Sequence, residues 1–165
     1  MVKVIAKILL LLIVFVVGIL PSFGMIFFVF SESQPFEFTM LIPFGITALG
    51  ICSAIFHGKT VGFYKNLAKD LILKRPSHLY WGLNLGFASV NLMFALLFGY
   101  LIFFKYPASV SLSDDPVILL IIVPLFLGSI LFLEAFYMKK KLSENKEKEA
   151  LSEIDNIKGN TENFN

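Results

Sequence analysis

Four long runs of apolar residues, separated by short polar segments, are the most informative pattern in this chain. Residues 8–30, 38–56 and 79–104 contain no charged side chain, and residues 117–138 contain only Glu134. A helix rises about 1.5 Å per residue, so about 20 apolar residues cross the hydrocarbon core of a bilayer. Because peptide groups in lipid must be paired within their own segment, each run is predicted to be helical. The pattern therefore predicts an all-α membrane protein built as a bundle of four transmembrane helices.

The first run has an alternative interpretation as a cleaved signal peptide. Lys3 and Lys7 form a basic start, and Ser22 and Gly24 form a small-x-small pair that a signal peptidase could recognise. Cleavage would leave three spans. The apolar run continues without a break through residues 25–30, which favours a first transmembrane helix.

Composition supports membrane insertion and narrows the kinds of partner. Hydrophobic residues make up 57% of the chain and charged residues 16%, whereas a soluble domain has about 25% charged residues. The net charge of +2 is too small to indicate a nucleic-acid partner. The single cysteine, Cys52, lies in an apolar run and cannot form an internal disulfide. We predict no metal and no cofactor.

The distribution of charge predicts the orientation. Basic residues lie before the first span, between the second and third, and after the fourth: Lys3, Lys7, Lys59, Lys65, Lys69, Lys74, Arg75, Lys139, Lys140, Lys141, Lys146, Lys148 and Lys158. The other two connections contain Glu32, Glu37, Lys105, Asp114 and Asp115. Because cytoplasmic loops are enriched in Lys and Arg, both ends of the chain are predicted to be cytoplasmic, in a multi-pass protein of the cell (inner) membrane.

Two segments outside the spans have patterns of their own. In residues 61–75, apolar residues recur at i, i+3, i+4, i+7 and i+8, which predicts a cytoplasmic amphipathic helix between helices 2 and 3. This helix would lie among the lipid headgroups and bind lipid or a partner, or it would simply tether two spans. Residues 1–141 are predicted to form the transmembrane domain, and residues 142–165 a charged cytoplasmic tail that is partly disordered.

Small and polar residues inside the spans predict how the helices pack, because helices in lipid associate through close contact and hydrogen bonds. In the third span, Gly82, Gly86 and Ser89 share one face, and Asn84 and Asn91 lie on a roughly opposite face. We therefore expect the third span to be the central helix. Further predicted packing positions in the second and fourth spans are Gly50, Ala54 and Gly128.

Three ionisable residues near the predicted cytoplasmic interface, His57, His78 and Glu134, are a candidate polar site. Glu134 is expected to extend to the interface as an anchor. The alternatives are a hydrogen bond to His57 within the bundle, or a role in proton transfer or metal binding. The spacing of the three residues matches no known zinc pattern.

No sequence pattern assigns catalytic residues. Function is therefore predicted from the surfaces that could bind a partner: the small-residue faces of the third span, the basic segment 61–75 and the charged tail. The leading hypothesis is a non-enzymatic accessory, regulatory or immunity-type protein that binds another membrane protein, or itself, in the lipid bilayer. One alternative is a small oligomeric transporter or channel lined by Thr47, Asn84, Asn91 and Glu134. Another is a membrane enzyme with His57, His78 and Glu134 as its polar centre.

Overall fold

The described part of the protein, seen in a computed structural model, contains four α-helices. The residues described are 2–32, 38, 41–67, 69, 73–105 and 118–162. The helices are α1 (Val2–Glu32), α2 (Leu41–Leu67), α3 (His78–Tyr100) and α4 (Leu119–Glu162). A π-helical turn, Leu101–Lys105, directly continues α3.

All four helices contain a segment long and apolar enough to cross a membrane. The prediction of an all-helical fold with four such helices is therefore confirmed for the described part of the chain. The acidic residues Glu37, Asp114 and Asp115, which contribute to the predicted orientation, lie outside the described residues.

The helices pack as two hairpins. The α1 helix packs along α2, α4 packs along α3, and the hairpins meet where α2 contacts α3. One end of the bundle carries the beginnings of α1 and α3, the end of α2, and the basic residues that surround them. We call this end the basic end.

The α2 helix is longer than the sequence predicts. Residues 61–67 continue α2 directly, and residues 73–77 are not helical, so a separate amphipathic helix over 61–75 is not seen. The reason is tertiary packing: Phe63 and Tyr64 are buried against Met138 of α4, which extends the inward face of α2 beyond residue 56. The remaining residues of that predicted helix, 68 and 70–72, lie outside the described residues.

The α4 helix also runs past the apolar segment and into the charged tail. Two pairs on its surface support this extension: Lys141 donates to Glu144 at 2.6 Å, and Asn145 donates to Glu149 at 3.0 Å. Pairs spaced three or four residues apart stabilise an exposed helix. Residues 163–165, at the end of the predicted tail, lie outside the described residues.

The middle of the bundle is apolar and closely packed. Val14, Phe87 and Leu131 have no exposed surface and form one core cluster with Ala54, Ala88 and Leu127. Next to this layer, α1 and α2 approach so closely at Gly18 and Gly50 that a Cβ added to Gly18 would lie 2.7 Å from the Gly50 Cα. The core layer separates the polar side chains at the basic end from those at the opposite end.

Candidate functional site

Four side chains from three helices form a polar cluster at the basic end of the bundle. They are Lys7 of α1, His57 and Tyr64 of α2, and Glu134 of α4. Because α1 and α4 are antiparallel, Lys7, near the beginning of α1, lies level with Glu134, near the end of the apolar part of α4. We refer to these four residues as the polar cluster.

An ion pair is at the centre of the polar cluster. Lys7 Nζ donates to Glu134 Oε1 at 2.5 Å and lies 2.5 Å from His57 Nδ1. When Lys7 is protonated it can only donate to His57 Nδ1, which puts the proton of a neutral imidazole on Nε2, an atom with no hydrogen-bond partner among the described residues. Tyr64 donates its hydroxyl to the same Glu134 Oε1 at 2.9 Å.

Aromatic rings surround the lysine. Its Nζ lies 5.4 Å from the ring centre of Phe56 and 5.5 Å from that of Tyr64. Cations are attracted to the faces of aromatic rings at such distances. The rings therefore replace part of the hydration that Lys7 loses in the bundle.

The polar cluster is almost completely shielded. Lys7 is 2% exposed, His57 is 0% exposed, and the Glu134 side chain is 10% exposed. Buried charges are tolerated only when they are paired and hydrogen-bonded. The opposite charges of Lys7 and Glu134 balance, so the cluster is neutral overall when His57 is neutral.

A further hydrogen bond, one helical turn from His57, connects α2 to α3. Ser53 of α2 donates its hydroxyl to Asn84 Oδ1 at 2.6 Å, and both residues are buried. With this bond, polar side chains from all four helices meet at the basic end. The arrangement links the helices and leaves Glu134 Oε1 already accepting from two donors.

The structure brings together two of the three predicted polar-site residues. His57 Nδ1 lies 3.2 Å from Glu134 Oε2, but His78 is exposed at the beginning of α3. There it lines a separate open cavity of about 380 Å³ with Trp81 and Lys139. The predicted polar centre is therefore not a single site: His57 and Glu134 lie together inside the bundle, and His78 lies at the separate cavity.

Sequence reasoning missed Lys7 and Tyr64. Its leading expectation put Glu134 at the interface, whereas its alternative, a position beside His57 within the bundle, is where this side chain lies. Glu134 points into the bundle, rather than extending to the interface, because Lys7 supplies an opposite charge there. The available signal was the position of Lys7, one helical turn beyond Lys3 and directly before the apolar run. The sequence alone could not show that α1 and α4 are neighbours.

The predicted packing residues of α2 and α4 lie inside the bundle. Gly50 contacts Gly18, and Ala54 belongs to the apolar core. Gly128 lies against α3, where an added Cβ would be 2.9 Å from the Ala88 carbonyl oxygen and 2.8 Å from Leu92. At each glycine contact, the absence of a side chain allows two helices to approach closely.

The predicted packing face of α3 points away from the bundle. Nothing lies within 4 Å of a Cβ added at Gly82 or Gly86, and Ser89 is exposed and donates to the Leu85 carbonyl of its own helix. On the other face, Asn84 and Asn91 are buried; Asn91 donates to the Phe87 carbonyl, also within α3. The glycines and the asparagines therefore lie on different faces of α3, and among the described residues the asparagine face is the one that packs within the chain.

Among the described residues, no group of three His, Cys, Asp or Glu side chains is placed to hold a metal ion.

No protein-family model, curated protein or solved structure matches this chain.

Proposed function

We propose that this protein is a non-enzymatic accessory or regulatory protein of the cell membrane, with both chain ends in the cytoplasm. It binds a transmembrane helix of another protein through the face of α3 formed by Gly82, Gly86, Ser89 and Met93. We call this face the outer face of α3. An immunity-type protector would use the same kind of contact.

The observation that carries the proposal is that no other helix in the described part of the chain lies within 4 Å of a Cβ added at the two glycines of this face. The four residues lie within about 60° of one another on a helix of 3.6 residues per turn. Small residues at this spacing let a second helix approach closely in lipid. By contrast, Gly18, Gly50 and Gly128 are already used for contacts between helices of this chain.

The ionisable side chains support a binding role more than a chemical one. Lys7 and Glu134 neutralise each other, and the Nδ1 lone pair of His57 accepts from Lys7. A general base needs a free lone pair within reach of a substrate; Glu134 Oε2 accepts no hydrogen bond among the described residues, but its side chain is only 10% exposed. The polar cluster is better suited to holding helices together than to reacting with a ligand.

The transporter alternative has less support in a single chain. Thr47 bonds Ser22 at 2.5 Å on the far side of the apolar core, whereas Asn84 and Glu134 lie at the basic end. Fully buried apolar side chains and the Gly18–Gly50 contact separate the two groups. A pathway would therefore require several copies of the chain.

Photocrosslinking in intact membranes tests the proposal. A photoreactive amino acid at Met93, which is 69% exposed, should crosslink a specific membrane protein. The same probe at Phe126 of α4, which is 67% exposed, should not crosslink that protein. The Gly86→Leu variant should lose at least nine-tenths of the crosslink, because a leucine side chain separates the two helices.

Gly99→Leu is the matched control. Gly99 also has open space around it and lies on α3, but on a different face, so this variant should crosslink as the wild type does. Equal loss in both variants, or equal crosslinking from Met93 and Phe126, would contradict the proposal. If crosslinks form only between copies of this chain, the outer face of α3 is the interface of a homo-oligomer and the accessory role is wrong.

A further inference from the structure

A groove of about 550 Å³ lies between α1 and α4 on the outside of the bundle. The backbones of these two helices do not pack closely against each other; side chains bridge them at the basic end. Leu10 and Ile13 of α1 face Ile130 and Leu133 of α4 across the groove. The groove is separate from the outer face of α3.

The groove is polar at one end and apolar along the rest of its length. Lys3 and Tyr137 lie at the basic end, where Lys3 Nζ donates to the Tyr137 hydroxyl at 3.0 Å. The inner wall at this end is formed by three residues of the polar cluster: Lys7, Tyr64 and Glu134. From Lys3 to Ile13 the α1 helix rises about 15 Å. This equals about half of the hydrocarbon thickness of a bilayer. The groove therefore has the length of one leaflet, and its polar and apolar parts lie where the headgroup and acyl chain of a lipid in the leaflet at the basic end would lie.

The charge at the polar end favours an anionic headgroup. Glu134 neutralises the buried Lys7, whereas the exposed Lys3, at the mouth of the groove, forms no ion pair with any described residue. A lysine ammonium has three donors, and Tyr137 takes one of those of Lys3. Two donors remain for phosphate oxygens, and exposed Lys139 and Lys140 follow on α4.

We propose that the groove between α1 and α4 binds one anionic phospholipid from the leaflet at the basic end. Its phosphate contacts Lys3 and Tyr137, and one acyl chain lies along Leu10, Ile13, Ile130 and Leu133. The bound lipid fills the space between two helices that are otherwise bridged by side chains. This site does not depend on the partner-binding role proposed for α3.

Native mass spectrometry of the full chain in mild detergent tests this site. The protein is titrated with phosphatidylglycerol and phosphatidylcholine that carry the same acyl chains. We expect one tightly retained lipid, with a preference for phosphatidylglycerol of about fivefold from a single lysine near the headgroup. Lys3→Gln should remove the preference while leaving binding of phosphatidylcholine unchanged.

Two variants separate the groove from the general surface. Ile130→Trp fills the groove and should lower the retention of both lipids at least fivefold, whereas Ile122→Trp, at an exposed position on α4 outside the groove, should not. Circular dichroism of each variant verifies that it is folded. If Ile130→Trp does not fold, the loss or survival of the phosphatidylglycerol preference in Lys3→Gln protein decides whether the groove is the lipid site.

Three results would overturn the site: equal retention of both lipids by the wild type, a preference that survives Lys3→Gln, or unchanged retention in folded Ile130→Trp protein. If the preference survives Lys3→Gln and is lost in Lys139→Gln/Lys140→Gln protein, the lipid binds at the surface of α4 and not in the groove.

Discussion

At the scale of single residues, the most consequential feature is the buried pair of Lys7 and Glu134. The two residues are 127 positions apart in the chain, and their side chains form an ion pair at 2.5 Å. The net gain from a buried pair is small, because desolvation offsets most of the attraction. Removal of one partner is costly, since the other charge then remains buried without compensation.

We expect Glu134→Gln to destabilise the protein by about 3 kcal/mol. The variant leaves the ammonium of Lys7 buried among Phe56 and Tyr64 without its counter-charge. The Lys7→Met/Glu134→Gln double variant should recover most of that stability, because no unpaired charge remains. Denaturant unfolding in mild detergent, followed by circular dichroism, measures both effects.

An exposed ion pair on α4 provides the control for this prediction. Lys141→Gln should leave the unfolding transition unchanged, because its partner Glu144 remains in contact with water. Equal destabilisation by Glu134→Gln and by the double variant would show that the pair does not govern stability.

At the scale of the helices, glycine has two different uses. Gly18 and Gly50 allow α1 and α2 to touch, whereas Gly62, on the same helix as Gly50, has nothing within 4 Å of an added Cβ. In a helix, alanine is intrinsically favoured over glycine by about 1 kcal/mol. Substitutions at Gly50 and Gly62 gain the same helix propensity and differ only in the contacts they meet.

We expect Gly50→Ala to destabilise the α1–α2 hairpin, with a cost of overpacking of about 1–3 kcal/mol. The new methyl group would collide with the backbone of Gly18, which cannot move without displacing α1. Gly62→Ala should be neutral or stabilising. Thermal unfolding of the two variants in the same detergent measures the difference, and equal midpoints would argue against the close contact.

At the scale of the whole molecule, the bundle has a strong charge asymmetry. Basic residues surround one end, and Lys105 lies at the other. Moving several lysines across a bilayer is costly, so this asymmetry predicts one orientation. The polar cluster and the mouth of the groove between α1 and α4 both lie at the basic end.

We expect reporter fusions at Met1 and at Asn165 to report the same, cytoplasmic, compartment. A cysteine placed at Lys105 should react with a membrane-impermeant reagent added from outside, whereas a cysteine at Lys59 should react only after the membrane is opened. The Cys52→Ser background removes the natural thiol. Opposite compartments for the two ends would contradict a four-span topology.

The local sequence was sufficient to predict the four long apolar helices, whereas the separate amphipathic helix that it also predicted over 61–75 is not seen. Residues 79–104 contain no charge, and the structure has α3 and its π-helical turn over 78–105. The sequence also separates the asparagine face of α3 from its glycine face, because residues four apart lie on one side of a helix. These features depend on spacing within one segment, which a sequence records directly.

The tertiary structure decided which helices are neighbours, and therefore what Lys7, Glu134, Gly82 and Gly86 contact. Apolar periodicity places a residue on a face of its helix but does not say which helix packs there. Lys7 looks like part of a basic flank until α4 places Glu134 beside it. Gly82 and Gly86 look like internal packing positions until the bundle leaves them outside. Helical conformation follows from local backbone bonding in a low-dielectric environment, whereas the pairing of side chains follows from contacts between distant segments.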